Sequence, residues 1–406
     1  MKSSTPGIGF AVSLGAITLI APLSIHLFLP AIPTVQAAFG VSGALVQLTF
    51  SVTMFTMAVV TPVYGTLSDR LGRRPVLLIG LGMFLLGSLV AALAPTIAML
   101  ILGRMVQAAG AGCGLTLTRA MARDAYGPEG LVKAIAYLTI AYTLGPMLAP
   151  PFGGLLIDTF GWRSIFWFAL LVGTAITVAS VGVLYETRSP ADHANQPASL
   201  VSLYGALLRD RSFLAFILQS GFMSFAFFGL ASASPFLSTG VLAHSATEYG
   251  LLFMLMPLAY CCGNIISSRL SGRVSVERMV LIGSLLCFAA MVVQAGVILT
   301  GPLSALIIFA PGAVMTFSQG LALPNAQAGA IRVNPGLAGT AAGLGVFIQL
   351  LLSAVSAQLY GFLADGTARP MILLTLCGSA LAVTAALSLF VPKGRTQASG
   401  RTPPTR

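Results

Sequence analysis

The sequence predicts an all-α membrane protein of twelve transmembrane helices in two pseudo-symmetric six-helix halves. Three observations predict it: a composition too apolar to cover a water-soluble surface, twelve apolar blocks of membrane-crossing length, and a one-sided placement of Lys and Arg around those blocks. Of 406 residues, 57% are hydrophobic and 8% charged, against about 25% charged in a typical soluble domain. Mean hydropathy is +0.94. A porin-like barrel would show short alternating segments, and these blocks do not alternate.

The blocks read as 8–32, 44–64, 75–95, 98–119, 131–157, 163–185, 212–239, 247–268, 278–299, 302–326, 336–362 and 369–391. Each is close to the roughly 20 residues that a helix needs to cross hydrocarbon. The first, preceded by Lys2, is longer than the apolar core of a cleaved signal peptide and is expected to remain as a span. Two pairs, 75–95 with 98–119 and 278–299 with 302–326, leave room only for tight hairpins.

With the N-terminus inside, 18 of the 21 Lys and Arg fall on the inner side, Arg163 and Arg369 fall outside, and Arg104 lies within a span. That bias sets both termini in the cytoplasm. It also supports the count of twelve, because deleting one span would invert every later loop. The net charge of +11 is thereby explained as a topology signal rather than a nucleic-acid footprint. The five cysteines, Cys113, Cys261, Cys262, Cys287 and Cys377, sit in apolar blocks without metal-ligand spacing and read as small core residues.

The longest polar interruption, 186–211, divides the chain. Residues 1–185 form an N-terminal half, 186–211 a cytoplasmic linker, 212–392 a C-terminal half and 393–406 a disordered tail. The halves echo each other. Arg70-Leu71-Gly72-Arg73 after the second block matches Arg269-Leu270-Ser271-Gly272-Arg273 after the eighth, and Gly154 and Asp158 match Gly361 and Asp365. Repeated halves mark alternating-access transporters, whose substrate site lies between them near the membrane midplane.

Three motifs carry the finer reading. The first is Gly65-Thr66-Leu67-Ser68-Asp69-Arg70-Leu71-Gly72-Arg73-Arg74, between spans two and three. Gly65 and Gly72 permit a tight turn, Asp69 suits a basic partner or a helix N-terminus, and the arginines pin the loop to the cytoplasmic face. A plain basic hairpin is the simpler alternative. The run resembles the G-x-L-x-D-R-x-G-R-R signature of the major facilitator superfamily. The resemblance implies a gating loop that holds the cytoplasmic side closed in the outward-facing state, with Asp124, after Arg123, as its charged neighbour.

The second motif is Arg104-x-x-Gln107-x-x-Gly110-x-Gly112 in span four. A mid-span arginine costs about 2.5–3.5 kcal/mol to insert, so it should face a partner, a cavity or, by snorkelling, the interface. Arg104 and Gln107 share one helix face. The pattern resembles the superfamily's span-four R-x-x-Q-G-x-G element, with Ala108 in place of the first glycine. The third motif is Gly145-Pro146 followed by Ala149-Pro150-Pro151-Phe152-Gly153-Gly154 in span five. Prolines there predict a bend. The cluster resembles the G-P-x-x-G-G element of drug:proton antiporters, with Ala149 where glycine is usual, and implies export.

Over essentially the whole chain the sequence resembles the bicyclomycin and chloramphenicol resistance (Bcr/CflA) subfamily. APLSIHLFLPAIP in span one, QLTFS in span two and APPFGGLLIDTFGWRSIFWF across spans five and six carry the likeness. One departure bears on mechanism. The subfamily carries an acid in span one, and here His26 stands at that position. All ten acidic residues fall in loops or at span ends. His26 then has three readings: a packing residue, a proton carrier titrating near neutral pH, or a substrate contact. Together with Arg104 and Gln107 it is expected to line a central cavity. Gln47, Tyr142, Gln219, Phe222, Tyr260, Asn264, Asn325 and Gln349 are further polar or aromatic candidates within spans, although such residues often serve as interhelical glue.

The expected function is secondary-active efflux of small drug-like or amphipathic molecules by proton-coupled antiport. The expected partners are the substrate, protons and the bilayer, with a monomeric chain and no nucleic acid. An importer of a nutrient or organic anion on the same fold is the alternative. A membrane enzyme would need clustered catalytic groups, and an ATP-driven pump a phosphate loop; neither is present in the sequence, so no catalytic residue, cofactor or metal is assigned. A static channel fits poorly with repeated halves and a gating loop.

Overall fold

The computed structural model describes residues 7–188 and 200–391. The middle of the expected linker and the whole expected tail, 393–406, lie outside the described residues. Among the described residues, twelve helices are long and apolar enough to cross a membrane: Ile8–Phe39, Gly43–Leu71, Arg73–Ala92, Ile97–Gly127, Lys133–Phe160, Ser164–Val183, Arg211–Val241, Ala246–Leu270, Val276–Thr300, Ala305–Val333, Pro335–Leu363 and Arg369–Phe390. They are called spans one to twelve. In hydrocarbon a backbone polar group has no water to bond, so each crossing segment must satisfy itself as a helix. At the ends, side chains take over. Ser42, Thr96, Asp210 and Ser275 each accept a backbone N–H of the first turn that follows them, filling donors that the helix leaves open.

Several helices outrun their apolar blocks. Span two continues to Leu71, span four to Gly127 and span ten to Val333, so Arg119, Arg123, Asp124 and Arg332 ride on helices rather than loops. Hydropathy reports contact with lipid, whereas helicity continues wherever the backbone ladder does. Spans four and five are joined so closely that Gly127, at φ 62° and ψ −176°, is the one break in their helical backbone. Span five runs unbroken through Pro146, Pro150 and Pro151, where the sequence led us to expect a bend. Residues 186–211, read as polar linker, contain a short helix, Leu200–Leu208. Its Leu207 is buried in an apolar cluster with Phe213 and Phe216.

The packing repeats in the two halves. Span three lies on four as nine lies on ten, one on five as seven on eleven, two on four as eight on ten, and three on six as nine on twelve. Across the seam, span five packs on eight and span eleven on two. These two crossings are related by the same exchange of halves.

The face where span one begins and span twelve ends is called the base, and the opposite face the top. Every hydrogen bond between the halves among the described residues lies at the top. Toward the base, ideal Cβ atoms on Gly65, Gly339 and Gly343 meet nothing within 4 Å. Among the described residues the halves are therefore hydrogen-bonded to each other at the top and not toward the base.

Candidate functional site: a cleft, its closed gate and its basal loop

The top gate is built from small and polar residues. Gly154 of span five lies against the Ala246 carbonyl and the Thr247 backbone of span eight, with no room for a Cβ. Gly250 lies equally close to the backbone of Pro150 and Pro151. Beside this crossing, Gln47 donates to the Ser232 hydroxyl at 2.8 Å. Ser51 donates to Gln358 at 2.7 Å, and Gln358 donates to the Ala44 carbonyl at 3.1 Å. The span-five cluster is thus a packing surface. Gly145 and Gly153 lie on Pro22 and Leu27 of span one, while Gly154 and Pro150 lie on span eight.

Near this gate an aromatic chain crosses from half to half. Phe50 of span two lies 6.2 Å from Phe228 of span seven, ring centre to ring centre, and Phe227 lies 6.3 Å from Phe253 of span eight. His26 joins it, 6.3 Å from Phe253. Span one breaks at His26 for a local reason. Pro30 lacks an N–H and its ring clashes with the carbonyl four residues back, so the helix stops at His26 and resumes at Ile32. His26 is buried, and its Nδ1 has no hydrogen-bond partner among the described residues.

Arg104 turns elsewhere. Its guanidinium donates to Gln107 Oε1 at 2.6 Å, to the Ser24 carbonyl at 2.9 Å and to the Thr49 carbonyl at 3.4 Å. It also lies over the Phe28 ring at 4.6 Å. Ser24 is in the last turn before the break, where carbonyls lose their intrahelical partners. Arg104 therefore caps the broken end of span one, where the helix dipole favours a cation. Gln107 passes the network on to the Ser88 hydroxyl at 2.9 Å. This corrects the expectation of a cavity shared by His26 and Arg104: Arg104 is consumed inside the N-terminal half, and His26 faces the other half.

At the base, Arg73 is buried and held by two carboxylates, Asp69 at 2.7 Å and Asp124 at 3.1 Å. It also donates to the Ser68 hydroxyl at 2.6 Å. Arg70 is exposed. The sequence reading missed Glu186. Its carboxylate accepts the backbone N–H groups of Arg73 at 2.9 Å and Arg74 at 3.0 Å, at the start of span three, where a helix presents open donors and a positive dipole end. Gly72, at φ 96°, makes the turn that aims those amides, and a Cβ there would meet Glu186 Oε2 at 2.6 Å. Burial alone raises the Glu186 carboxyl, but backbone N–H donors from Arg188, Arg73, Arg74 and Thr187 together hold it below its ordinary value. No spacing in the sequence marks this clamp, because its donors are backbone.

The remaining candidates separate into two kinds. Gln219 donates to the Ser284 hydroxyl at 2.9 Å and Asn325 to the Ser267 hydroxyl at 2.7 Å, so both join helices within the C-terminal half. Phe222, Tyr142, Tyr260, Asn264 and Gln349 are half-buried, and Gln349 Nε2 has no partner among the described residues. Tyr142 of span five lies within electrostatic reach of Arg119 and of Tyr260 across the seam. Arg119, at the inner end of the fourth apolar block, thereby joins this group. Among the described residues no cluster of His, Cys, Asp and Glu suits a metal ion.

Residues 14–357 match the family described as Major Facilitator Superfamily. The chain belongs to the major facilitator superfamily. It is therefore a multi-pass membrane transporter with the fold of that superfamily. The chain is 30% identical to the uncharacterized MFS-type transporter YdgK of Bacillus subtilis (strain 168) over 96% of each chain. It is 30% identical to multidrug resistance protein D of Escherichia coli (strain K12) over 87% of this chain and 88% of that one. A solved bacterial homologue of the human lysosomal transporter Spinster shares the fold, with a TM-score of 0.75 at 14% identity over 94% of this chain and 97% of that one.

Proposed function

We propose that this transporter is a secondary-active exporter of small drug-like or amphipathic molecules, of the Bcr/CflA type, working by alternating access as a proton-coupled antiporter. The observation that carries the reading is the one-sided closure. Span five packs its glycines on span eight at the top, where every hydrogen bond between the halves among the described residues also lies, and this supports reading the halves as parted at the base. The basic residues that lie at the base, against Arg163 and Arg369 at the top, support a cytoplasmic base and cytoplasmic termini. The cleft then faces the cytoplasm, the side from which an exporter loads. The aromatic chain at its closed end offers apolar faces without a fixed hydrogen-bonding pattern, which suits ligands of varied shape. The name of the E. coli relative points the same way.

Transport follows from exchanging which end is closed. The top crossing of spans five and eight must part to release substrate outward. The base must close in the same movement, with the Arg73–Asp69–Asp124–Glu186 cluster holding spans two, three, four and six as one rigid block. His26 is the proton carrier in this reading. Among the described residues it is the histidine buried within the spans at the seam, and opening the top would give its unpartnered Nδ1 to outside water. The test is a drug-susceptibility panel in a pump-deficient strain at two external pH values. Resistance that strengthens with outside acidity supports antiport. Uptake of labelled substrate by intact cells without any resistance would replace export by import.

A further inference from the structure

The two top crossings are related by pseudo-symmetry, yet only one of them carries a charge across the seam. Asp158 of span five accepts the backbone N–H of Ala246 at 3.2 Å and that of Thr247 at 2.8 Å, and the Thr247 hydroxyl at 2.6 Å. Its carboxylate thus sits on the first turn of span eight, in the opposite half, opposite the positive end of that helix. Its pseudo-symmetric counterpart, Asp365, just past the end of span eleven, bonds instead to Thr367 two residues away. Each helix start has a serine cap of its own, Ser42 at span two and Ser245 at span eight, and Asp158 comes in addition to the second. Among the described residues, Asp158 is the sole carboxylate bonded across the seam.

We propose that the Asp158 carboxylate is the lock of the top gate, holding span five on the first turn of span eight in the closed-top state and releasing it when the halves part. The inference rests on the alternating-access reading above and adds a residue to it. Charge-assisted bonds are about twice as strong as neutral ones, so the carboxylate grips these donors more firmly than a neutral side chain would. The bonds exist only while the gate is shut, because their donors and acceptor belong to different halves. They therefore act on the balance between the two states and not on the stability of either half.

The charged surroundings fit a poised lock. Glu248, on the same first turn of span eight, opposes the charge of Asp158. His244 lies 3.3 Å from the Glu248 carboxylate. Arg163, at the start of span six, is turned to the Ala94 carbonyl and the Trp162 ring and leaves Asp158 alone.

The experiment places spin labels at Phe160 and Val241, exposed at the top ends of spans five and seven, in a full-length chain with its native cysteines replaced. The distance between them is measured at pH 7.5. The native side chain should give mainly the short, closed distance. D158A should raise the long-to-short ratio about tenfold. D158N, which keeps an acceptor oxygen and the side chain's size but not the charge, should give a smaller rise, and T247V, which removes one donor, a small one. D158A and D158N populations equal to that of the unsubstituted protein would overturn the proposal. A single distance in every variant would instead sink the alternating-access reading itself.

Discussion

Replacing Gly154 with alanine tests the gate by steric means alone. An alanine Cβ would stand 2.7 Å from the Thr247 Cα and closer still to the Ala246 carbonyl group. Ordinary carbon–carbon contact is about 3.5–4.0 Å, so the two helix backbones must separate by about 1 Å. Neither neighbour is a side-chain tip that can rotate away. Overpacking of this kind costs about 1–3 kcal/mol, and here the cost falls only on the state in which spans five and eight touch. A bias of that size moves a two-state ratio by about 5–150-fold. G154A should therefore shift the Phe160–Val241 label distance toward the open-top population and slow efflux, because return to the closed-top state becomes unfavourable. G182A is the control, since a Cβ at Gly182 meets nothing within 4 Å. A distance distribution for G154A indistinguishable from that of G182A would refute the reasoning, and so would a shift toward the closed state.

Three further outcomes follow from the N-terminal half. R104A removes a buried cation and strands the Ser24 carbonyl and Gln107 Oε1. It should cost about 2–5 kcal/mol, read as a lower unfolding temperature of the purified protein, and R104K should recover little because one ammonium cannot reproduce the guanidinium's fork. Glu186 is held below its ordinary value in the folded protein, so its contribution is present above the unfolded carboxyl value and is lost as pH falls through the folded one. A melting series between pH 7 and pH 4 should show E186Q less stable at neutral pH and flatter on the acid side; parallel curves would deny the clamp. H26A should abolish transport driven by a pH gradient in vesicles while leaving substrate exchange intact, and unchanged gradient-driven transport would remove His26 from the coupling.

The span count was legible because lipid leaves a chain few options, and the charge bias tied each block to its neighbour. The span ends were less so. Leu71, Gly127 and Val333 close helices that project beyond their apolar stretches, and hydropathy is silent once a helix leaves hydrocarbon. The basal loop motif placed Asp69, Arg73 and Asp124 in one neighbourhood, yet nothing in the sequence pointed to Glu186, whose partners are two backbone amides. Arg104 was legible as a buried cation in need of partners. That those partners are carbonyls at a helix break follows only once Pro30 is seen to end the helix at His26. The span-five cluster was read as a bend, and its spacing did not say that its small residues admit span eight. Glycine spacing tells where two helices can touch, and not which two.

The central claim, proton-driven export through a cleft that loads from the cytoplasm, is tested most directly in everted membrane vesicles. With a proton gradient imposed across them, the account predicts accumulation of a fluorescent amphipathic dye inside the vesicles, collapsed by a protonophore and absent with H26A. Accumulation confined to right-side-out vesicles, or accumulation indifferent to the protonophore, would contradict it.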